Sequence, residues 1–171
     1  MNSRYIIYLA LVAYLCMYTV PAKAENVPSS INLLVGTKTM YDSSWKGRGM
    51  NDLNVVGLDI FFGSSSKGLL LGIGAAFPSE GSENYIAQVD VAARKYLIRR
   101  SIIRPYVSAG VGLISSDVHG IKEESAGLLL NVGGMALLEE LNLGLDLRLL
   151  FLADGERGAY NSSQLSVQIG F

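Results

Sequence analysis

Lys38, Asp59, Asp90, Arg94, Asp146 and Arg148 are the residues whose types and positions point to a shared chemistry. Each stands in a stretch of alternating apolar and polar residues, and each has the polar parity of its stretch. Three are basic and three acidic. Charges withdrawn from water are tolerated when paired, so a set that cancels reads as a buried salt-bridge network. An ion path is the alternative use of the same residues. A second cluster, Ser115-Ser116-Asp117-Val118-His119 with Glu123 and Glu124, holds hydroxyls, acids and the single histidine. Nucleophilic catalysis needs a hydroxyl held against the imidazole. In a polar loop the same residues are ordinary solvated side chains.

Other chemistries find less support. One histidine, with Cys16 as the single cysteine, is too few for a closed transition-metal site. Asp42, Asp52, Asp117, Glu123, Glu124, Asp154 and Glu156 fall in expected loops, but their spacing matches no calcium loop. Gly110-Val111-Gly112 is followed by no helical pattern and is not a phosphate loop. No cofactor is implied. The chain carries 14 Lys and Arg against 15 Asp and Glu, with no basic stripe. Nucleic acid is therefore not an expected partner, since phosphate binding needs clustered cations.

The elements that position these residues begin after a secretory leader. Arg4 supplies the positive n-region, Tyr5 to Val20 an apolar core, and Ala22-Lys23-Ala24 a small-residue cleavage site. A membrane anchor is the alternative, but the run is short and Pro21 interrupts it. Cys16 follows Leu15 rather than a small-residue lipobox, so lipidation is not expected. Residues 1–24 are read as signal peptide and 25–171 as one domain. Cleavage after Ala24 removes Arg4, Lys23 and Cys16, leaving a mildly acidic domain without cysteine.

Half of the chain is hydrophobic, yet after the leader no run of ~20 apolar residues offers a membrane helix. The apolar residues alternate instead. Period-two patterns cover Ile31 to Thr39, Asn54 to Gly63, Gly68 to Phe77, Asn84 to Leu97, Ile102 to Ser115, Ser125 to Leu137, Leu141 to Leu152 and Ser162 to Phe171. Eight strands of ~10 residues each have the length needed to cross a bilayer at a tilt. Ser64 to Lys67, Arg99 to Ser101 and Glu139-Glu140 read as tight turns. Tyr41 to Leu53, Ser116 to Glu124 and Asp154 to Asn161 read as longer loops, and Pro78 to Glu83 as an intermediate one. Short turns on one rim and longer loops on the other suit an up-and-down meander with both termini on the short-turn rim. Gly127 to Leu137 also admits a helix, since Leu, Ala and Met favour one.

Alternation alone does not say which face is inside. A lipocalin-like barrel would bury the apolar parity and wet the other. Here the polar parity carries Gly36, Gly57, Gly72, Gly74, Gly110, Gly112, Gly133, Gly144 and Gly170. Glycine weakens a solvated strand and packs nothing, whereas a narrow eight-stranded lumen has room for little else. The charged set shares that parity. An all-β, eight-stranded antiparallel up-and-down transmembrane β-barrel is expected, with lipid outside and a plugged, charge-balanced lumen. Tyr41, Trp45, Phe77, Tyr85, Phe151 and Tyr160 fall toward the long-loop rim. Phe62, Tyr96, Tyr106 and Phe171 fall toward the other, Tyr96 and Tyr106 with lumen parity.

On the cleavable leader, the segment Arg104-Pro105-Tyr106-Val107-Ser108-Ala109-Gly110-Val111-Gly112-Leu113 and the terminal strand ending in Phe171, the chain resembles the small outer-membrane β-barrel superfamily, OmpA-like and opacity-type. The resemblance is one of pattern over the whole mature chain. It implies an outer-membrane location and a Phe171 that serves as assembly signal. The implied partners are outer-membrane lipids and, during insertion, the assembly machinery, with the barrel a monomer. It fixes function weakly. No further domain is expected after Phe171, so the cell-wall anchoring of longer relatives is not carried over. The expected role is structural, membrane-stabilising or surface-displaying, without enzymatic activity. A lipid A deacylase-like enzyme is one alternative. The pattern of those enzymes places a serine two residues after the histidine, where this chain has Ile121. A small-solute conduit or porin is the other. Deleting Phe171 is expected to block insertion and leave the chain in the periplasm, measured by fractionation. Normal outer-membrane levels would place the signal elsewhere.

Overall fold

The computed structural model describes residues 30–41, 50, 52–64, 66–79, 84–98, 101–137, 142–154 and 158–170, with only the backbone described at 137, 152–154 and 158–161. The leader 1–24, Trp45 and Phe171 lie outside the described residues. The strands are β1 Ser30–Met40, β2 Asp52–Gly63, β3 Lys67–Pro78, β4 Tyr85–Tyr96, β5 Ile103–Val118, β6 Ile121–Leu137, β7 Asn142–Asp154 and β8 Gly158–Gly170. Each pairs antiparallel with the next, and β1 pairs with β8, closing an eight-stranded up-and-down barrel. The closing register sets Leu33 opposite Ile169 and Gly36 opposite Ser166. Closure leaves no strand edge within the barrel wall, so its backbone donors and acceptors are paired.

The predicted parity holds around the wall. Ile31, Leu33, Val35, Val56, Leu58, Ile73, Val89, Leu113, Val132, Leu145, Leu165 and Val167 are exposed, while Asn32, Lys38, Asp59, Asp90, Arg94, Asp146, Arg148, Ser166 and Gln168 are buried. This is a soluble protein turned inside out: large apolar groups outside, ions within. The alternative of a helix over Gly127 to Leu137 is replaced by the long strand β6.

Two expected loops are strand. The composition of Ser116 to Glu124 predicts a charged loop, but β5 and β6 run on to Val118 and Ile121 and meet across His119-Gly120. Both turn residues have positive φ, 53° and 78°, the conformation of a type I′ hairpin turn that matches the twist of the strands. The buried Asn84 steadies it, its Oδ1 accepting the His119 N–H at 2.9 Å. The composition of Asp154 to Asn161 likewise predicts a loop, but β7 and β8 extend to pair Asp154 with Gly158. In both places hairpin pairing overrides polar composition. The expected alternation of long and short connections fails for the same reason. The β5–β6 turn is the shortest connection in the barrel although it lies on the rim opposite the termini.

β5 and β6 are the longest strands, 16 and 17 residues. The β6–β7 pairing reaches only to Gly127, so Ile121–Ala126 pairs with β5 alone among the described residues. The hairpin therefore stands beyond the wall on that side, its free edge carrying Lys122, Glu123 and Glu124. Charge on an edge discourages strand addition. Gly120→Val is expected to lower unfolding stability by about 1–2 kcal/mol, because a β-branched residue resists positive φ. Gly120→Asn should cost little. Urea unfolding of the refolded barrel compares the two.

Candidate functional site

The lumen is built by inward-facing residues of all eight strands, and its polar centre is Arg148 on β7. Its Nε donates to Asp146 Oδ1 at 2.8 Å and its Nη1 to Asp90 Oδ2 at 2.9 Å. Its Nη2 donates to Asp59 Oδ2. One guanidinium thus ties together carboxylates from β2, β4 and β7. Arg94 on β4 approaches two of the same carboxylates. Its Nη2 stands 3.7 Å from Asp59 Oδ2 and 3.8 Å from Asp146 Oδ2. Arg94 Nε donates to Ser108 Oγ at 3.3 Å. The Arg94 guanidinium also lies over the Tyr106 ring, 3.9 Å from its centroid, a cation–π contact that strengthens away from water.

Lys38 enters differently. It makes no direct ion pair with a carboxylate among the described residues. Its Nζ donates to Gln88 Oε1, and Gln88 Nε2 donates to Asp90 at 2.7 and 3.0 Å. All six sequence-predicted residues therefore belong to one connected network, five through ion pairs and Lys38 through Gln88.

The network also has neutral members that the sequence pattern does not mark. Tyr106 Oη and Gln168 Nε2 each donate to Asp146 Oδ2 at 2.7 Å. Asp146 thereby accepts from Arg148, Tyr106 and Gln168. Lumen parity was the available signal for Gln88, Tyr106 and Gln168, but parity says nothing of reach around the wall. Some buried polar atoms have no hydrogen bond within the described protein, among them both amide atoms of Asn131 and both terminal nitrogens of Arg94.

Glycines make the network sterically possible. A Cβ at Gly72 would lie 2.8 Å from Asp59 Oδ1, and one at Gly112 2.9 Å from Asp90 Oδ1. A Cβ at Gly133 would run into the Tyr106 phenol. The small residues leave the volume that the long side chains fill.

The lumen also has an apolar part that a polar lumen face did not foretell. Met40, Leu53, Ala76, Ile86, Ile114, Val118 and Leu150 are buried together on the halves of their strands away from the termini, with Met50 among them. At the terminal rim Tyr96 stacks edge-on with Phe61 and Tyr106, centroids 5.6 and 5.7 Å apart. The ionic layer lies between this apolar stretch and the aromatic group, with Leu70, Ala92 and Met135 buried on the terminal halves of their strands as well.

The second cluster assembles no catalytic geometry. His119 sits in the exposed two-residue turn. Ser116 Oγ is directed at the Glu123 carbonyl, 3.4 Å away, and not at the imidazole. Asp117 is placed on β5, and Glu123 and Glu124 on β6. No group of three or more His, Cys, Asp or Glu among the described residues is arranged to hold a metal ion.

The sequence matches no protein-family model and no curated protein. Solved structures do match. Neisserial surface protein A superposes with a TM-score of 0.63 at 12% identity, covering 83% of this chain and 95% of that one. The N-terminal β-barrel domain of Pseudomonas aeruginosa OprF gives 0.57 at 13%, covering 85% and 100%. Ail, the attachment invasion locus protein of Yersinia pestis, gives 0.53 at 11%, covering 84% and 97%. All three are small eight-stranded outer-membrane β-barrels, and theirs is the fold of this chain.

Arg148→Met removes the cation shared by three buried carboxylates and, among the described residues, leaves Asp59 and Asp146 only Arg94, at 3.7 and 3.8 Å, as a cationic partner. Removing one partner from a buried ionic group costs about 3–5 kcal/mol, and a loss of that size is expected in urea unfolding from lipid vesicles. Lys38→Met, which removes only the donor to neutral Gln88, should cost distinctly less. Equal losses would mean that Arg148 is not the centre of the network.

Proposed function

We propose that this chain is an integral outer-membrane β-barrel with a structural, membrane-stabilising and surface-displaying role, and that it is not an enzyme. The observation that carries the reading is the inversion of the wall. Apolar side chains cover the outside, and the ions are buried on the inside. Bilayer hydrocarbon tolerates no open strand edge, and this barrel has none in its wall. The three solved barrels of the same fold are outer-membrane proteins, and two are named as a surface protein and an attachment protein. In this reading the leader is cleaved after Ala24, Phe171 guides assembly, and the barrel is a monomer surrounded by outer-membrane lipid. The terminal rim faces the periplasm and the β5–β6 hairpin faces out.

The lumen serves stability rather than passage. An eight-stranded barrel has an interior that side chains just fill. Here the Arg148 network crosses that interior from β2, β4 and β7, with apolar packing beyond it. A solute would have to part a buried network in which each ion-paired group is held by more than one partner. The hairpin is a stiff display element, held by backbone pairing through Val118 and Ile121. That supports display over loop-borne catalysis at His119.

Outer-membrane fractions are expected to contain a form whose migration on a detergent gel changes on boiling. The purified barrel should show negligible conductance in planar bilayers. Recovery as a soluble periplasmic protein would overturn the membrane reading. Stable open channel steps would overturn the closed lumen and favour a conduit.

A further inference from the structure

Among the described residues, two charges face outward at the terminal end of the wall. Lys67 opens β3 and Lys95 stands one residue before the end of β4. Both have the lipid-facing parity of Leu71 and Val89, and they are direct register partners. Like charges set opposite one another across a strand pair are destabilising, so this placement calls for an anion between them. Neither lysine is ion-paired to a described carboxylate.

The surroundings say where that anion lies. Leu97, Ile98, Ile102 and Ile103, in and beside the β4–β5 turn, are 57%, 51%, 70% and 63% exposed. So many large apolar side chains in one turn form the kind of patch that marks a membrane or partner surface. The described flanks of the turn are tied together: Leu97 N–H donates to the Pro105 carbonyl at 2.8 Å, and Arg104 Nε donates to the Ser101 carbonyl at 3.4 Å. Depth agrees. From Tyr85 to Lys95 the strand advances about 34 Å at ~3.4 Å per residue. At a tilt of about 40° that is roughly 26 Å of depth, close to the ~25 Å apolar band of such barrels. With exposed Tyr85 and Phe77 at one interface, the two lysines reach the headgroup layer of the other. Their alkyl stems can lie along the wall while the ammonium groups stay at the interface.

We infer that Lys67 and Lys95 seat the phosphate of an anionic phospholipid in the leaflet at the terminal rim, with Leu97, Ile98, Ile102 and Ile103 set in the interfacial layer around it. The inference rests on the membrane reading above. It assigns that reading a lipid class and a position on the wall. A phosphodiester placed between two ammonium groups turns the repulsion of the lysine pair into two attractions, and the four exposed apolar residues that flank the turn hold the rim at the depth where such headgroups lie.

Native mass spectrometry tests this on the full mature chain, refolded into mixed micelles with equal phosphatidylglycerol and phosphatidylcholine. The wild type is expected to retain phosphatidylglycerol several-fold over phosphatidylcholine. Lys67→Gln with Lys95→Gln should lose the preference, each single variant should lose part of it, and Lys67→Arg with Lys95→Arg should keep it. Lys122→Gln, which removes a cation on the opposite rim, should leave it unchanged. Heat-modifiable migration of each variant reports whether the barrel has closed, and the single variants carry the test if the double variant does not close. Equal retention of the two lipids by the wild type, or a preference that survives the double Gln change, overturns the inference. So does a protein dimer that the double variant loses without any lipid preference, which would make a second copy the occupant. Failure of the wild type to insert into lipid at all would instead overturn the membrane reading.

Discussion

The Arg148 guanidinium and the three carboxylates around it set the terms for the rest of the barrel. A buried charge without a partner is among the costliest groups a fold can hold. Asp59, Asp90 and Asp146 come from three strands that are distant around the wall, so one cation satisfies them only if the wall is closed and the register is correct. Slipping one strand by a residue would turn its charge into lipid or water and strip the others of their partner. The network therefore contributes specificity as much as stability.

Much of the remaining lumen follows from that centre. The guanidinium and carboxylates need volume, and Gly72 and Gly112 leave it beside Asp59 and Asp90. Gly133 admits the Tyr106 ring, whose hydroxyl binds Asp146 while its face receives Arg94. Asp146 in turn holds Gln168 on the closing strand, which connects the network to the β1–β8 seam. Apolar packing on the side away from the termini and aromatic stacking at the terminal rim flank the ions, lowering the local dielectric and strengthening each pair inside.

The outer surface obeys the opposite rule and tells a separate story. Its middle presents large apolar side chains. Its ends differ. The far rim carries the β5–β6 hairpin with a charged edge, and the terminal rim carries exposed Leu97, Ile98, Ile102 and Ile103 beside a lysine pair. The two ends of the wall are thus chemically different, which gives the barrel a polarity along its axis.

Strand number, parity, the inside-out sense of the wall and the identity of the six lumen charges were all legible in the sequence. Each depends on local alternation and residue size, which a linear chain records directly. The polar hairpin is not legible, because composition near Ser116 to Glu124 argues for a loop, while the type I′ turn at His119-Gly120 and cross-strand pairing make strand. Gln88 as the bridge from Lys38 to Asp90, the hold of Arg148 on three carboxylates, and Lys67 facing Lys95 were not legible. Parity gives the face on which a residue stands but not its height or its neighbour around the ring. Those are fixed by stagger and tilt, which exist only once β8 has closed on β1.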